Sequence, residues 1–212
     1  MSSRAWAGWV LFGALCVAGS ASAQQEGAGR ISIMPGWRLT PNDYFAQHAA
    51  AAGFPLKHPS PGGPAVVASF GYGALAHLEI AIDLFFTEEQ LALQNASKPL
   101  TNISYGGLAG LRTQPELGAG FSLSLAAETG FVLVNVSGGG QEATERVANG
   151  WAGELGVHYA FSDLFTLGVE YRYLLARGWV GNVGSINGGG SWLGLAFSFK
   201  TAAQTPLSRD IR

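Results

Sequence analysis

Cysteine is almost absent from this 212-residue chain, since the single one, Cys16, lies in the N-terminal segment. A fold held together by disulfides is therefore excluded. Charge is scarce as well: Asp, Glu, Lys and Arg make up 12% of the residues, against about 25% in typical soluble domains. The net charge of −2 provides no positive surface for nucleic acid, so no such partner is predicted.

The N-terminal segment has the parts of a secretory signal peptide in the expected order. Arg4 supplies the positive region, residues 5–18 the apolar stretch, and Ala21-Ser22-Ala23 the cleavage motif. The apolar stretch is too short for a comfortable membrane-spanning helix. We therefore predict export, with cleavage after Ala23.

A long apolar run is missing from the rest of the chain, although 48% of the residues are hydrophobic. No window after residue 23 contains the roughly 18 apolar residues that a transmembrane helix needs. Alternating segments are present instead, and they predict eight strands at about 30–39, 64–72, 76–86, 101–113, 118–133, 147–161, 165–175 and 190–199. Short connections at 73–75, 114–117 and 162–164 alternate with long ones at 40–63, 87–100, 134–146 and 176–189. Short turns on one side and long loops on the other are typical of bacterial outer-membrane barrels. A short helix is predicted in the 40–63 loop, after Pro41-Asn42.

The clearly alternating strands have one apolar face and one face of small, polar and charged residues. In FTLGVEYRY (165–173), Phe165, Val169 and Tyr173 alternate with Glu170 and Arg172. A soluble sandwich or lipocalin would bury its apolar face and expose its charges, whereas only helices and closed barrels can span a bilayer. The sequence therefore predicts an all-β, eight-stranded antiparallel up-and-down transmembrane β-barrel, with the polar face inside and the apolar face toward lipid. Aromatic residues near both strand ends predict two interfacial belts.

With these features, the chain resembles the small outer-membrane β-barrel superfamily, the OmpA/OmpX-type eight-stranded barrels of Gram-negative bacteria. The most specific motif is Gly194-Leu195-Ala196-Phe197-Ser198-Phe199. Gly194, Phe197 and Phe199 resemble the C-terminal signal through which the outer-membrane assembly machinery recognises such chains. Two departures are Trp192, where a polar residue is usual, and the tail that follows Phe199.

The predicted division is a signal peptide at 1–23, a barrel at 24–199 and a short periplasmic tail at 200–212. The resemblance implies location in the bacterial outer membrane, with lipid, lipopolysaccharide and the assembly machinery as partners.

The inward positions contain charged side chains that must find partners once they leave bulk water. We expect an ionic cluster in the lumen formed by Arg38, Glu79, Asp83, Arg112, Glu128, Glu154, Glu170 and Arg172, with His77 and His158 facing the same interior. If the sixth and seventh strands pair around Asp163, Glu154 lies opposite Arg172 and Glu170 lies opposite Gly156. The cluster is predicted at mid-barrel, centred on Arg172, where it would close the lumen and fix the strand register.

Three functions are compatible with such a cluster. The first is a plugged barrel that serves membrane integrity or surface contact, with a surface ligand bound through its long extracellular loops. The second is a narrow, weakly cation-selective pore, because inward carboxylates outnumber arginines. The third is a lipid-modifying enzyme, which needs a histidine beside a serine nucleophile. No deacylase-like H-x-S arrangement is present on any predicted strand, so we predict that the chain is not an enzyme. His48, His58 and Asp43 share a loop and are interpreted as solvated, and neither a metal nor a cofactor is predicted.

Overall fold

A computed structural model describes residues 26–39, 46–47, 50–51, 53, 55–60, 62–75, 77–94, 96–138, 141–180 and 184–201. Its strands are β1 (Gly29–Leu39), β2 (Gly63–Leu75), β3 (Leu78–Leu91), β4 (Leu100–Thr113), β5 (Glu116–Gly118), β6 (Phe121–Gly138), β7 (Gln141–Ala160), β8 (Phe165–Leu175), β9 (Arg177–Val180), β10 (Gly184–Asn187) and β11 (Gly190–Lys200). Among the described residues, no helix has the length and apolarity needed to cross a membrane. The predicted signal peptide, Asp43, His48 and residues 202–212 of the predicted tail lie outside the described residues, as does most of the predicted helix.

Eight long strands close into a barrel. Their order is β4-β3-β2-β1-β11-β8-β7-β6, every neighbouring pair is antiparallel, and β6 pairs back with β4 to complete the ring. The short β5 adds to β6, while β9 and β10 form a separate hairpin. The predicted all-β, eight-stranded antiparallel barrel is therefore confirmed.

Several predicted loop boundaries were wrong. β3 continues to Leu91 and β4 begins at Leu100, so part of the predicted 87–100 loop is strand. β6 and β7 pair through most of the predicted 134–146 loop. The reason is visible in Val132, Val134 and Val136, which continue one inward-facing alternation past the predicted strand end. The Ser- and Gly-rich composition that follows had obscured that period.

The polar faces of the strands point into the barrel and the apolar faces point outward, as predicted. Ile33, Ile82, Val169 and Leu195 are each about half exposed, and all of them lie on the outer face. The polar residues that alternate with them are buried. Exposed aromatic side chains lie near both ends of the strands: Tyr72, Phe121, Tyr159, Phe161, Phe165, Phe197 and Phe199 at the end with the short turns, and Trp37, Phe86, Tyr105, Phe131, Trp151 and Tyr173 at the end with the long loops. We refer to these two ends as the turn end and the loop end.

The interior has two layers of different chemistry. A charged layer lies toward the turn end and is described below. An apolar layer lies toward the loop end and contains Met34, Val67, Phe85, Leu91, Leu93, Leu100, Leu108, Val132, Val134, Val136, Leu174 and Trp192. Its largest side chains, Phe85 and Trp192, pack with ring centroids 5.1 Å apart. The sequence interpretation predicts the charged layer and not the apolar one, because apolar side chains at inward positions carry no charge that needs a partner.

Candidate functional site: an ionic network in the barrel interior

The charged side chains meet because each occupies an inward position of its strand. Glu79 and Asp83 lie on β3, and Arg112 on β4 pairs directly with Glu79 in register. Glu128, Glu154, Glu170 and Arg172 lie on β6, β7 and β8. Small inward residues leave room for them: a Cβ at Gly71 would lie 2.1 Å from Cδ of Glu79. The alternation of glycine with long charged residues therefore fills an interior that is only wide enough for side chains.

Arg112 is one centre of the network. Its Nη1 lies 2.9 Å from Oε1 of Glu79, and its Nη2 lies 3.2 Å from Oδ2 of Asp83. The same Nη2 lies 3.3 Å from Oε1 of Glu128 and 2.9 Å from Oε2 of Glu154. These carboxylates come from three strands, so Arg112 links β4 to β3, β6 and β7.

Arg172 is the second centre. It binds Asp83 through Nη1, and its Nη2 lies 2.8 Å from Oε2 of Glu154 and 3.0 Å from Oε2 of Glu170. Its Nη1 also lies 3.7 Å from Oε2 of Glu128. Glu154 and Arg172 are register partners, as are Gly156 and Glu170, so the predicted register is confirmed. The network has two centres, whereas the sequence interpretation had placed it around Arg172 alone.

Arg30 is a member of the network that sequence reasoning missed. Its Nη2 lies 2.9 Å from Oε1 of Glu79, and its Nε donates to Oε2 of the same carboxylate at 3.1 Å. Both side chains are buried. The sequence does contain a signal for this position. Arg30 is an even number of positions from inward-facing Arg38 on the same strand, so the two side chains lie on the same face. Arg30 escapes prediction because the first strand alternates less cleanly than the others, so its inward face is harder to assign.

Arg38 does not join this network, contrary to the prediction. Its Nη2 lies 2.9 Å from Oε2 of Glu89, in the loop-end half of the barrel. Nη1 donates to the carbonyl oxygen of Gly188 at 3.0 Å, and Ser60 donates its hydroxyl to Glu89. Glu89 had been missed because it fell in the predicted 87–100 loop. The pair therefore ties two loop-end segments to the interior of the barrel.

The two histidines predicted to face inward differ in position. His77 is exposed in the turn between β2 and β3, so its predicted inward orientation was wrong. The reason is that β2 extends to Leu75 and β3 begins at Leu78, which leaves His77 in the connection. His158 is fully buried, and its Nε2 lies 3.4 Å from Oε1 of Glu170. His58, in the described part of the first long connection, is exposed.

The residues of the predicted assembly motif occupy β11 at the turn end. The rings of Phe197 and Phe199 face outward, and Phe199 packs against Phe165 with centroids 5.3 Å apart. Gly194 pairs with Gly36, and a Cβ at Gly194 would lie 2.6 Å from the carbonyl oxygen of Pro35. Close strand approach therefore accounts for Gly194 by itself, and recognition by the assembly machinery stays a prediction.

The interior of the barrel is charged, whereas its outer surface is apolar. Among the described residues, the buried ionisable groups apart from His158 are six carboxylates and four guanidinium groups, which gives a formal charge of −2. The outer surface at the same height is apolar. A closed barrel with charges inside and hydrocarbon side chains outside is the reverse of a soluble protein and suits a lipid bilayer. Together these features define the chain as an eight-stranded transmembrane β-barrel.

Solved structures support that class at the level of the fold. The outer-membrane protein OprG of Pseudomonas aeruginosa is similar with a TM-score of 0.53 at 11% identity, covering 87% of this chain and 100% of that one. Ail, the attachment invasion locus protein of Yersinia pestis, in complex with the heparin analogue sucrose octasulfate, has a TM-score of 0.51 at 13% identity, covering 84% of this chain and 100% of that one. No protein-family model and no curated protein matches the chain.

Proposed function

We propose that the chain is an integral outer-membrane barrel with a closed lumen, which serves membrane integrity or surface contact through its loop-end segments. The observation that carries this proposal is the network around Arg112 and Arg172. Ion pairs run from Asp83 on β3 to Arg172 on β8, strands that are not neighbours in the ring. Side chains that bind one another across the lumen leave the interior filled, which favours a scaffold over a conduit.

The apolar layer supports the same conclusion. Trp192 and Phe85 lie between the charged network and the loop end, and both are buried. A hydrated ion crossing the barrel would have to pass these rings and then break an ionic network. Each step would cost free energy, because the apolar rings offer the ion no ligands and the carboxylates of the network are already bound by arginine.

The β6–β7 hairpin supports a role outside the membrane. β6 has 18 residues and β7 has 20, whereas about 9–11 residues suffice to cross the bilayer. Glu145, Arg146 and Val147 are exposed in the part of β7 beyond the aromatic belt. A long hairpin presents side chains away from the lipid. Ail, which shares the barrel fold, has been solved in complex with the heparin analogue sucrose octasulfate, which favours ligand binding as a role for such a barrel. The partners we propose are lipid and lipopolysaccharide around the barrel, a ligand at the loop end, and the assembly machinery at Gly194, Phe197 and Phe199 during insertion.

Two other functions have weaker support. A cation-selective pore would agree with the formal charge of −2 in the interior. A lipid-modifying enzyme would need a serine hydroxyl hydrogen-bonded to a histidine nitrogen. His158 makes no hydrogen bond through either ring nitrogen among the described residues, and it is buried away from the lipid.

Single-channel recording on the folded protein in a planar bilayer tests the proposal. Folding is first verified by the heat-dependent shift of the band on a gel. We expect no steady current from the wild type, and brief or stable openings from the double variant Arg112→Ala, Arg172→Ala. A steady cation-selective current in the wild type would overturn the closed-lumen proposal in favour of the pore. The matched control is Lys98→Ala, which removes an exposed loop-end charge and should stay silent.

A further inference from the structure

His158 and Glu170 have polar atoms that the network leaves unused. Neither ring nitrogen of His158 nor Oε1 of Glu170 makes a hydrogen bond among the described residues. Both side chains are almost fully buried. Buried polar atoms without partners are rare in folded proteins, and each one calls for an explanation such as a bound ion. The two groups are also directed at each other, with Nε2 and Oε1 3.4 Å apart.

The backbone around His158 is built to admit the imidazole ring. A Cβ at Gly168 would lie 2.4 Å from Nδ1 of His158, and one at Gly156 would lie 3.0 Å from its Nε2. Gly156 also faces Cγ of Glu170, at 2.9 Å from its hypothetical Cβ. Two glycines on neighbouring strands thus form a cradle in which the ring lies against the wall and its Nε2 faces the carboxylate.

The geometry of these groups is that of a metal-binding site. One ring nitrogen of His158, a Glu170 oxygen and a Glu154 oxygen all lie within 4.8 Å of one another. Two ligands of a tetrahedral zinc ion, each about 2.05 Å from the metal, are about 3.3 Å apart. The separation of 3.4 Å between Nε2 and Oε1 agrees with that spacing. Arg172 holds the other oxygen of Glu170 at 3.0 Å, which orients Oε1 toward the histidine as an outer-shell partner would.

The charge of the interior favours the same occupant. The buried carboxylates exceed the buried guanidinium groups by two among the described residues. Excess buried carboxylates must be neutralised by protonation or by a cation, and one divalent cation would balance both formal charges. Glu154 is also bound by Arg112 and Arg172, so it would share its carboxylate between them and the metal.

We propose that His158, Glu170 and Glu154 form a binding site for one divalent transition cation in the turn-end half of the barrel. Mixed nitrogen and oxygen ligands suit ions such as Zn²⁺ and Co²⁺. The hydroxyls of Thr166 and Ser198 are buried on the turn-end side of the site, and neither makes a hydrogen bond among the described residues. No metal is predicted from the sequence, where the ligand candidates are His48, His58 and Asp43 in one loop; His158 and Glu170 lie on different strands and form no ligand motif along the chain.

Metal titration of the folded protein tests this site. The metal-free protein is titrated with Co²⁺ and Zn²⁺, followed by the visible absorption of Co²⁺ and by metal analysis after gel filtration. The background carries His48→Ala and His58→Ala, so that loop histidines do not contribute. We expect one equivalent of bound metal, and at least a tenfold loss of affinity in His158→Ala and in Glu170→Gln. His77→Ala is the matched control, because His77 is exposed in a turn, and it should bind as the background does.

Each outcome decides the proposal. Glu170→Gln keeps the shape of the side chain, so it decides the question even if His158→Ala fails to give the heat-dependent gel shift. Zn²⁺ should also raise the urea midpoint of the background protein and leave that of Glu170→Gln unchanged. Absence of a stoichiometric metal ion, or equal binding by the background and Glu170→Gln, would overturn the site.

Discussion

Arg112 and Arg172 bind the same oxygen atom, Oε2 of Glu154, at 2.9 and 2.8 Å. The two arginines lie on different sides of Glu154 along the wall, since β8 is next to β7 on one side and β4 lies beyond β6 on the other. The attraction of each arginine for Glu154 offsets the repulsion between the two arginines. The three side chains therefore depend on one another, and removal of any one leaves unbalanced buried charge.

Arg172→Ala should destabilise the folded barrel. The substitution leaves Asp83, Glu154 and Glu170 without one of their counter-charges in the interior. Breaking a buried ion pair from one side costs about 3–5 kcal/mol. The measurement is the urea midpoint of unfolding in detergent micelles, with Lys98→Ala as an exposed control. An unchanged midpoint would show that the network does not hold the barrel together.

Arg38 and Glu89 form a buried ion pair apart from the main network. They therefore test the cost of removing one partner of a buried pair without the other charges of the network. Arg38→Met alone should leave the Glu89 carboxylate buried without its cation, and Glu89→Met alone should leave the guanidinium without its anion. Each single change is expected to cost about 3–5 kcal/mol. The double variant places two apolar side chains beside the apolar layer, so its loss should be smaller than either single loss.

A double-mutant cycle on urea midpoints measures that coupling. If the losses of the two single variants simply add in the double variant, Arg38 and Glu89 act independently and the pair is not a structural unit. Loss of the hydrogen bonds to Gly188 and Ser60 would then account for the effects.

The fold could be predicted because strand alternation is a local property. Leu193, Leu195 and Phe197 identify an outward face without any knowledge of the neighbouring strands, and the register of Glu154 with Arg172 follows from one short turn. Contacts across the lumen, by contrast, cannot be predicted from the local sequence. Arg30 with Glu79, and Arg112 with Glu154, join strands that are not neighbours, so they depend on the curvature of the closed wall. No spacing along the chain encodes that curvature.

Gly71→Ala should weaken the barrel, although the change adds only one methyl group. The new Cβ would lie 2.1–2.6 Å from the carboxyl group of Glu79, which must then move away from Arg30. Overpacking of this kind costs about 1–3 kcal/mol. Gly107→Ala is the matched control on a neighbouring part of the wall. Its Cβ would meet Leu84 and Phe131 at 3.5 Å, an ordinary contact, so a change within about 0.5 kcal/mol is expected. Equal effects in the two variants would contradict the difference between the inner and outer faces at these positions.

Leu195→Arg should destabilise the barrel through the lipid. Leu195 lies on the outer face of β11 and is 50% exposed, so the new guanidinium would face the hydrocarbon core. Arginine near the midplane of an outer-membrane barrel costs about 2–4 kcal/mol, and the cost falls to about 0–1 kcal/mol near the interfaces. Leu164→Arg is the matched control, since Leu164 is exposed in a turn at the turn end. The measurement is the free energy of unfolding from urea titrations in lipid vesicles. Equal costs at the two positions would mean that Leu195 does not lie at the depth in the bilayer that the barrel geometry assigns to it.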